Sequence, residues 1–365
     1  MKIQLECPLY NSYNVQKIAG MFDVPVASRL STEIEVEEPP VDDGSWQIGA
    51  IVGLSGSGKS QTAKHCFGNE LYTAGNWDEK KAVIDCFGDA DVKDITATLT
   101  AVGFSSPPSW IRPYHTLSNG EQFRCDLAKA LLQGGLVVFD EYTSVVDRNV
   151  AKIASAALAK AIKSKKLDCR FVAVTCHYDI LDWLEPDWVL DTATGTVERR
   201  LLRRPPIELE VYRCHYSDWR LFAKHHYLDS KKLSTSSQCY VALYNQVPVS
   251  FCSVMSSCGH QGRRRISRIV TLPDYQGIGI GKALLHFVAD KYKNDGLRVS
   301  IGTSHPAMIN SLCRDERWLL KSINSNEGNK GTTQKTKGLR NSIVIGRKIA
   351  CFEYMGCANK EQNGV

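Results

Sequence analysis

The sequence predicts an α/β chain of two domains. Its 365 residues exceed what one core usually holds. A glycine-rich loop between an apolar run and a helical stretch occurs twice, at Gly53–Ser60 and at Gln276–Lys282. The charge also divides. Residues 1–205 carry 22 Lys and Arg against 27 Asp and Glu, whereas residues 206–365 carry 23 against 12, so an acidic half precedes a basic one. The basic half is the one suited to a polyanion. Hydrophobic residues are 43% and charged residues 23%, as in ordinary globular chains. No apolar run reaches the roughly 18 residues of a membrane span, and Met1–Tyr10 has no signal-peptide hydrophobic segment. Thirteen cysteines occur without a C-x-x-C pair, which points to a reducing, cytoplasmic compartment.

Residues 1–45 form a lead-in: Tyr13–Phe22 has helical spacing, Ser31–Val36 alternates like an edge strand, and Pro39–Gly44 is a turn. Gln47–Val52 then reads as a buried strand and Gln61–Phe67 as a helix. Between them Gly53-Leu54-Ser55-Gly56-Ser57-Gly58-Lys59-Ser60 fits G-x-x-x-x-G-K-[ST]. The glycines let backbone N–H groups close around phosphate oxygens, and the helix N-terminus adds partial positive charge. Gly53, Ser55, Gly56, Ser57, Gly58, Lys59, Ser60 and Gln61 are therefore the expected ATP cradle. Lys59 would reach the β- and γ-phosphates and Ser60 would ligate Mg²⁺.

Further on, Ala82–Ile84 is expected as a strand and Val92–Val102 as a helix that Pro107-Pro108 interrupts. Leu117-Ser118-Asn119-Gly120-Glu121-Gln122 opens a helical stretch over Phe123–Leu132 and places Ser118 and Gly120 at a phosphate-binding N-terminus. Leu136–Phe139 is a strand ending in Asp140-Glu141. Asp140 is expected on Mg²⁺ and Glu141 on the attacking water. A helix over Asn149–Lys163 follows, then the strand Phe171–Cys176 with His177 at its C-terminal end, where open α/β sheets collect ligands.

These motifs, in this order, resemble an ABC-type ATPase over roughly residues 30–200. The resemblance implies a Walker A at Gly53–Ser60, a signature at Leu117–Gln122, catalytic Glu141, a D-loop at Asp147 and a switch histidine at His177. L-S-x-G-E is similar to soluble members that act in DNA repair and chromosome maintenance. Two features depart from the pattern. No glutamine lies between Gln61 and Gln122, so the usual Q-loop residue is missing, and the short Walker A to signature interval trims the helical subdomain. One Walker A and one signature per chain imply an ATP-dependent homodimer.

Arg199–Pro206 is a charged, proline-terminated linker, which places the ATPase domain at 46–204 and a second domain at 205–365. Trp219–Leu228 reads as a helix running into a loop. Tyr240–Tyr244 and Val247–Val254 flank Asn245-Gln246 as a hairpin. The strand Ile266–Leu272 feeds Pro273-Asp274-Tyr275-Gln276-Gly277-Ile278-Gly279-Ile280-Gly281-Lys282.

Gln276, Gly279 and Gly281 match Q/R-x-x-G-x-G/A, so about residues 208–355 resemble an α+β GNAT acetyltransferase, as in phage and prokaryotic fusions of the two families. The resemblance implies that backbone N–H groups of Gln276, Gly277, Ile278, Gly279, Ile280, Gly281 and Lys282 bind the pyrophosphate of acetyl-CoA. It also implies that Ile266–Leu272 splays from Leu297–Thr303, freeing an N–H of Thr271 or Leu272 to polarise the thioester. The usual glutamate and tyrosine of the family are absent. His305, Tyr227, Asp274 and His226 are the candidate proton carriers. Lys330, Lys335, Lys337, Arg340, Arg347 and Lys348, with Arg263–Arg265 and Arg268, form an expected phosphate-tracking surface. The expected activity is acetyl transfer to an amine on a nucleic acid under ATP control. The alternatives are a protein or small-amine acceptor, or a DNA clamp with an inactive second domain.

Overall fold

The computed structural model describes residues 1–8, 11–23, 29–41, 43–68, 71–73, 75–199, 205–226, 233–257, 260–325 and 348–356. Elements run β1 (Lys2–Pro8), α1 (Tyr13–Phe22), β2 (Arg29–Glu35), β3 (Ile48–Val52), α2 (Lys59–Phe67), α3 (Val92–Ala101), α4 (Pro107–Trp110) and α5 (Asn119–Leu131). Next come β4 (Gly135–Phe139), α6 (Arg148–Lys163), β5 (Cys169–Thr175), α7 (Leu181–Leu184), β6 (Trp188–Asp191) and β7 (Thr196–Arg199). The rest are β8 (Glu210–Cys214), α8 (Trp219–Phe222), β9 (Gln238–Tyr244), β10 (Val247–Ser257), β11 (His260–Thr271), α9 (Ile280–Asn294), β12 (Arg298–Thr303), α10 (Pro306–Cys313), β13 (Trp318–Ser325) and β14 (Lys348–Tyr354). Two compact units divide them: residues 1–76 with 126–205, and residues 77–125 with 206–365.

The first unit is built on a five-stranded sheet, ordered β4-β5-β3-β6-β7. β4, β5, β3 and β6 are parallel, and β7 returns antiparallel as a hairpin. Every residue of β3 is buried, as expected of a strand covered on both faces. Gly49 on β3 admits Trp188, whose ring a Cβ there would meet at 2.1 Å. Ile51, Val138, Val172, Val174, Trp188 and Leu190 form the core beneath it. α6 buries an alanine-rich face; Asp147 caps its start by accepting from Asn149 N–H at 2.8 Å, and Lys160 and Lys163 sit in its last turn. β1 and β2 pair antiparallel as a separate ribbon.

In the second unit, residues 77–125 carry α3, α4 and the start of α5. Ala82–Ile84, expected as a strand, is instead a 3₁₀ turn over Val83–Cys86; among the described residues its strand contact is a single bridge of Ala82 to Pro113. Pro107 does not interrupt a helix; it starts the short α4 at its first position. α3 closes at Gly103 (φ 85°) with Phe104 N–H donating to Leu99 O, a Schellman end that leaves Ser105 at the turn's exit.

Residues 206–356 of this unit form a seven-stranded sheet in the order β13-β14-β12-β11-β10-β9-β8. Asn245 and Gln246, both at positive φ (49° and 65°), make the two-residue turn of the β9–β10 hairpin. The helix expected to start at Trp219 and run into a loop covers Trp219–Phe222 and continues as a 3₁₀ turn, Ala223–His225. Trp219, Phe222, Phe251 and Val270 pack as a core cluster. Parallel strands need a crossover connection, and α9 lies in sequence between the parallel strands β11 and β12.

Candidate functional sites

The first site sits where β3 enters α2. Gly53, Gly56 and Gly58 have φ of 151°, 81° and 86°, values a side chain would strain. A Cβ at Gly58 would stand 2.2 Å from Ile34 Cδ1, and one at Gly53 would stand 2.1 Å from Thr192 Oγ1. Ser57 Oγ lies 2.6 Å from Thr192 Oγ1, which pins the loop to the end of β6. Lys59 Nζ crosses the loop to donate to Leu54 O at 2.7 Å. Ser55, Gly56 and Gln61 are exposed.

Ser60 Oγ donates to Asp140 Oδ1 at 3.0 Å, bringing a hydroxyl at the start of α2 against a carboxylate at the end of β4. Two hard oxygen donors at the foot of a phosphate cradle fit Mg²⁺. Beyond Asp140 the backbone takes positive φ at Glu141 (53°) and Thr143 (68°), strained values for non-glycine residues and common at functional sites. Buried Tyr142 anchors this turn, with its hydroxyl 3.0 Å from Ser155 Oγ. Glu141 is left exposed, accepting from Ser144 Oγ at 2.6 Å. His177 Nδ1 lies 3.2 Å from Thr143 Oγ1, so strand end β5 and the Glu141 turn meet. Burial and then Arg148 hold the His177 imidazole below its ordinary range. Arg148 is itself paired with Asp179.

In the second unit, Ser118 and Glu121 form a reciprocal cap on α5. Ser118 N–H and Oγ both donate to Glu121 Oε2, at 3.0 and 3.1 Å, and Glu121 N–H returns to Ser118 Oγ at 3.4 Å. Glu121 is buried and also accepts from Ser109 Oγ at 2.9 Å. Ser118 itself is exposed, and Gly120 is buried. The signature's serine and glutamate thus have a capping role that any S-x-x-E helix start would give them, besides their expected place at a phosphate.

The other glycine loop follows β11. Parallel pairing joins β11 to β12 only over Arg263–Ile266 and Arg298–Ile301 and then stops, while β11 continues to Thr271 against β10. Leu272 N–H is not free: it donates to Val249 O at 2.9 Å. Ladder alternation then turns Thr271 N–H to the other side, where β12 has departed. Of the two expected amides, Thr271 is the one facing the opening. Gly277 and Gly279 take φ of 87° and 103° and are exposed, while Ile278 and Ile280 are buried and hold the loop down. Gly279 is the N-cap of α9, so the amides of Ile280, Gly281 and Lys282 lack an intrahelical acceptor. A Cβ at Gly281 would stand 2.6 Å from Thr271 Oγ1, so the helix start and strand end touch only because that side chain is absent. A cradle of free N–H groups at the N-terminus of a four-turn helix fits a diphosphate.

Gln276 spends its side chain on protein contacts. Its Nε2 donates to Thr271 O at 2.9 Å and its Oε1 accepts from Ser105 N–H at 2.6 Å. His305 stands at the N-cap position of α10 without a side-chain capping bond, and burial lowers its pKa while a hydrogen bond with the Ser105 backbone raises it. Asp274 is committed to Arg124, through its carboxylate at 3.3 Å and its carbonyl at 2.9 Å. His226 is buried with its ring 5.5 Å from that of Trp219. Tyr227 lies outside the described residues, as do Lys330, Lys335, Lys337, Arg340 and Arg347. Within the expected phosphate-tracking surface, Arg263 is 3.8 Å from buried Glu353, which Arg298 also engages through two bonds of 2.6 and 2.9 Å.

Sequence reasoning missed Arg124, Ser105 and Asp315. The signal for Arg124 was present: it sits between Phe123 and Cys125, and a charge inside a helix buried all round needs a partner. Ser105 and Asp315 carry no such signal. No helix among the described residues is long and apolar enough to cross a membrane.

Residues 204–310 match the model of the acetyltransferase (GNAT) family. No curated protein matches the chain. Similar solved structures include the ribosomal-protein-S18-alanine N-acetyltransferase of Escherichia coli, at 16% identity, covering 43% of this chain and 100% of that one with a TM-score of 0.31. A GNAT acetyltransferase from Elizabethkingia anophelis with acetyl-CoA bound aligns at 19% identity, covering 40% and 97%, with a TM-score of 0.30. A dimeric bacterial ABC transporter cassette aligns at 15% identity over 48% of this chain and 92% of its own, with a TM-score of 0.35. By its family match, the segment 204–310 is a GNAT acetyltransferase domain, and it follows an N-terminal half that carries P-loop, signature and switch motifs in ABC order.

Proposed function

We propose that the chain is an ATP-hydrolysing ABC-type ATPase joined to an acetyl-CoA-dependent N-acetyltransferase that modifies an amine on a nucleic acid. The observation that carries the transferase reading is the open end of β11 beside the glycine loop, inside the segment that matches the family. The loop amides from Gly277 to Lys282 would hold the diphosphate. Thr271 N–H would polarise the thioester carbonyl, so that transfer is mainly the positioning of an amine against it. His305, whose uncharged form burial favours, would accept the proton that the attacking amine loses and pass it as imidazolium to the departing thiolate.

In the first unit, Lys59 would neutralise the phosphates and Ser60 with Asp140 would hold Mg²⁺. Glu141 would orient water, with His177 kept against its turn through Thr143. The +11 balance of residues 206–365 supports a polyanionic acceptor, and the free thiols of the described cysteines support a cytoplasmic location. The competing clamp reading is favoured by one feature: Ile266–Leu272 contributes no carboxylate. Mass spectrometry of nucleosides from cells with and without the protein separates the readings. An added acetyl mass on one nucleoside, lost in Gly279→Trp, is expected. Identical nucleoside profiles, with acetyl transfer only to proteins or small amines, would overturn the nucleic-acid acceptor.

A further inference from the structure

Arg124 has no exposed surface at all, yet its guanidinium faces a loop at the surface. Its Nη1 reaches Asp274 Oδ1 at 3.3 Å and Gly120 O at 3.4 Å, and its Nη2 donates to Asp274 O at 2.9 Å. The partner carboxylate is 43% exposed. The pair is therefore asymmetric. A fully buried arginine cannot leave its partner without stranding a charge, whereas Asp274 is free to swing into water. The arginine is the anchor, and what it anchors is Pro273–Tyr275, the single turn between the end of β11 and Gln276. Two residues further on, Ser105 N–H holds Gln276 Oε1 at 2.6 Å, while Gln276 Nε2 holds Thr271 O. Ser105 also bonds His305 beyond β12, so one residue holds the segments that follow both strands, past the point where their pairing stops.

We propose that Arg124 and Ser105 are positioning residues of the acetyl-CoA diphosphate site, which is thus completed by the segment 77–125 and not by residues 206–365 alone. The inference rests on the acyl-CoA reading of the glycine loop. Arg124 fixes Asp274, Ser105 fixes Gln276, and between them the backbone entering Gly277–Gly281 is set before a ligand arrives. A preorganised cradle saves the ordering cost of binding. The effect falls mainly on the diphosphate, because Asp274 lies in the turn that enters the glycine loop, whereas Thr271, where the thioester carbonyl would sit, precedes that turn and is held by its ladder to β10.

The test is calorimetry on the full chain with two probes, acetyl-CoA and S-acetylpantetheine, which lacks the diphosphate. Arg124→Met and Asp274→Asn are each expected to weaken acetyl-CoA about tenfold, or about 1.4 kcal/mol. Each should leave S-acetylpantetheine within about twofold of wild type. The double variant should be no weaker than Arg124→Met alone, since that change already removes the contact that Asp274→Asn alters. Should Arg124→Met not fold, Asp274→Asn carries the test, because it alters one half-exposed carboxylate and keeps the carbonyl that Arg124 also uses. Unchanged acetyl-CoA affinity in Asp274→Asn, or an equal loss for both probes, overturns the inference while leaving the acyl-CoA reading intact. No acetyl-CoA binding by wild type overturns that reading and the inference with it.

Discussion

Lys282 lies at the start of α9, beside the proposed diphosphate cradle, but its ammonium is already used: Nζ is 2.7 Å from Asp315 Oδ2. The loop would therefore meet an anion with backbone N–H groups more than with that charge. One turn later His286 Nε2 lies 3.1 Å from the same carboxylate oxygen. Burial, then Arg317 and Lys282, push the His286 imidazole down from 6.5 to about 4, and Asp315 and Asp290 only partly oppose them. Burial raises Asp315, but hydrogen bonds from Arg317 and Lys282 outweigh it and hold its carboxyl well below the usual range. His286 is thus neutral in the fold, with consequences for stability. Above pH 6.5 neither folded nor unfolded chain protonates it. Between 6.5 and about 4 the unfolded chain takes a proton that the folded chain refuses, so stability falls with pH across that window. The loss reaches up to about 3 kcal/mol at its lower end. Denaturant unfolding at pH 7.5 and pH about 4.5 checks this: His286→Gln should lose markedly less stability than wild type over that interval, and equal losses would show that His286 titrates normally.

At the scale of elements, what the sequence made legible were pieces set by local rules. Uninterrupted apolar runs gave β3 and β5, whose residues from Ile48 to Val52 and from Phe171 to Thr175 are buried on both faces. The S-x-x-E pattern gave the start of α5, and two positive-φ residues gave the β9–β10 turn. Ala82–Ile84 misled because three apolar residues make a strand only beside a sheet edge, and among the described residues Ala82 forms one isolated bridge, to Pro113. Trp219–Leu228, expected as a helix running into a loop, is helical from Trp219 to Phe222, where its aromatics pack as a cluster. In the candidate sites, the glycines were legible because each imposes a backbone demand. Choosing Thr271 over Leu272 was not, since ladder phase depends on the partner Val249. Arg124–Asp274 and Ser105–Gln276 join residues 150 and 171 positions apart, and nothing local announces such pairs.

At the scale of the molecule, the chain has one P-loop and one signature. A signature that completes a nucleotide site on a second copy requires an isologous pair. ATP would then stabilise a homodimer by mass action, and hydrolysis would release it. Glu141→Gln should retain Mg-ATP and lose hydrolysis by about 100-fold or more, because only water activation is removed. Light scattering should find that variant dimeric with Mg-ATP and monomeric with ADP; a monomer in both would sink the sandwich. The central claim, however, is that an acyl-CoA site has been joined to an ATPase. Calorimetric titration of acetyl-CoA into the full chain and into Gly279→Trp tests it most directly. The exposed Gly279 amide lies where the diphosphate would rest, and an indole there would strain its φ of 103° and cover the neighbouring N–H groups. Saturable binding by wild type and none by Gly279→Trp is the predicted result; no binding by wild type, or equal affinity in the two, would contradict it.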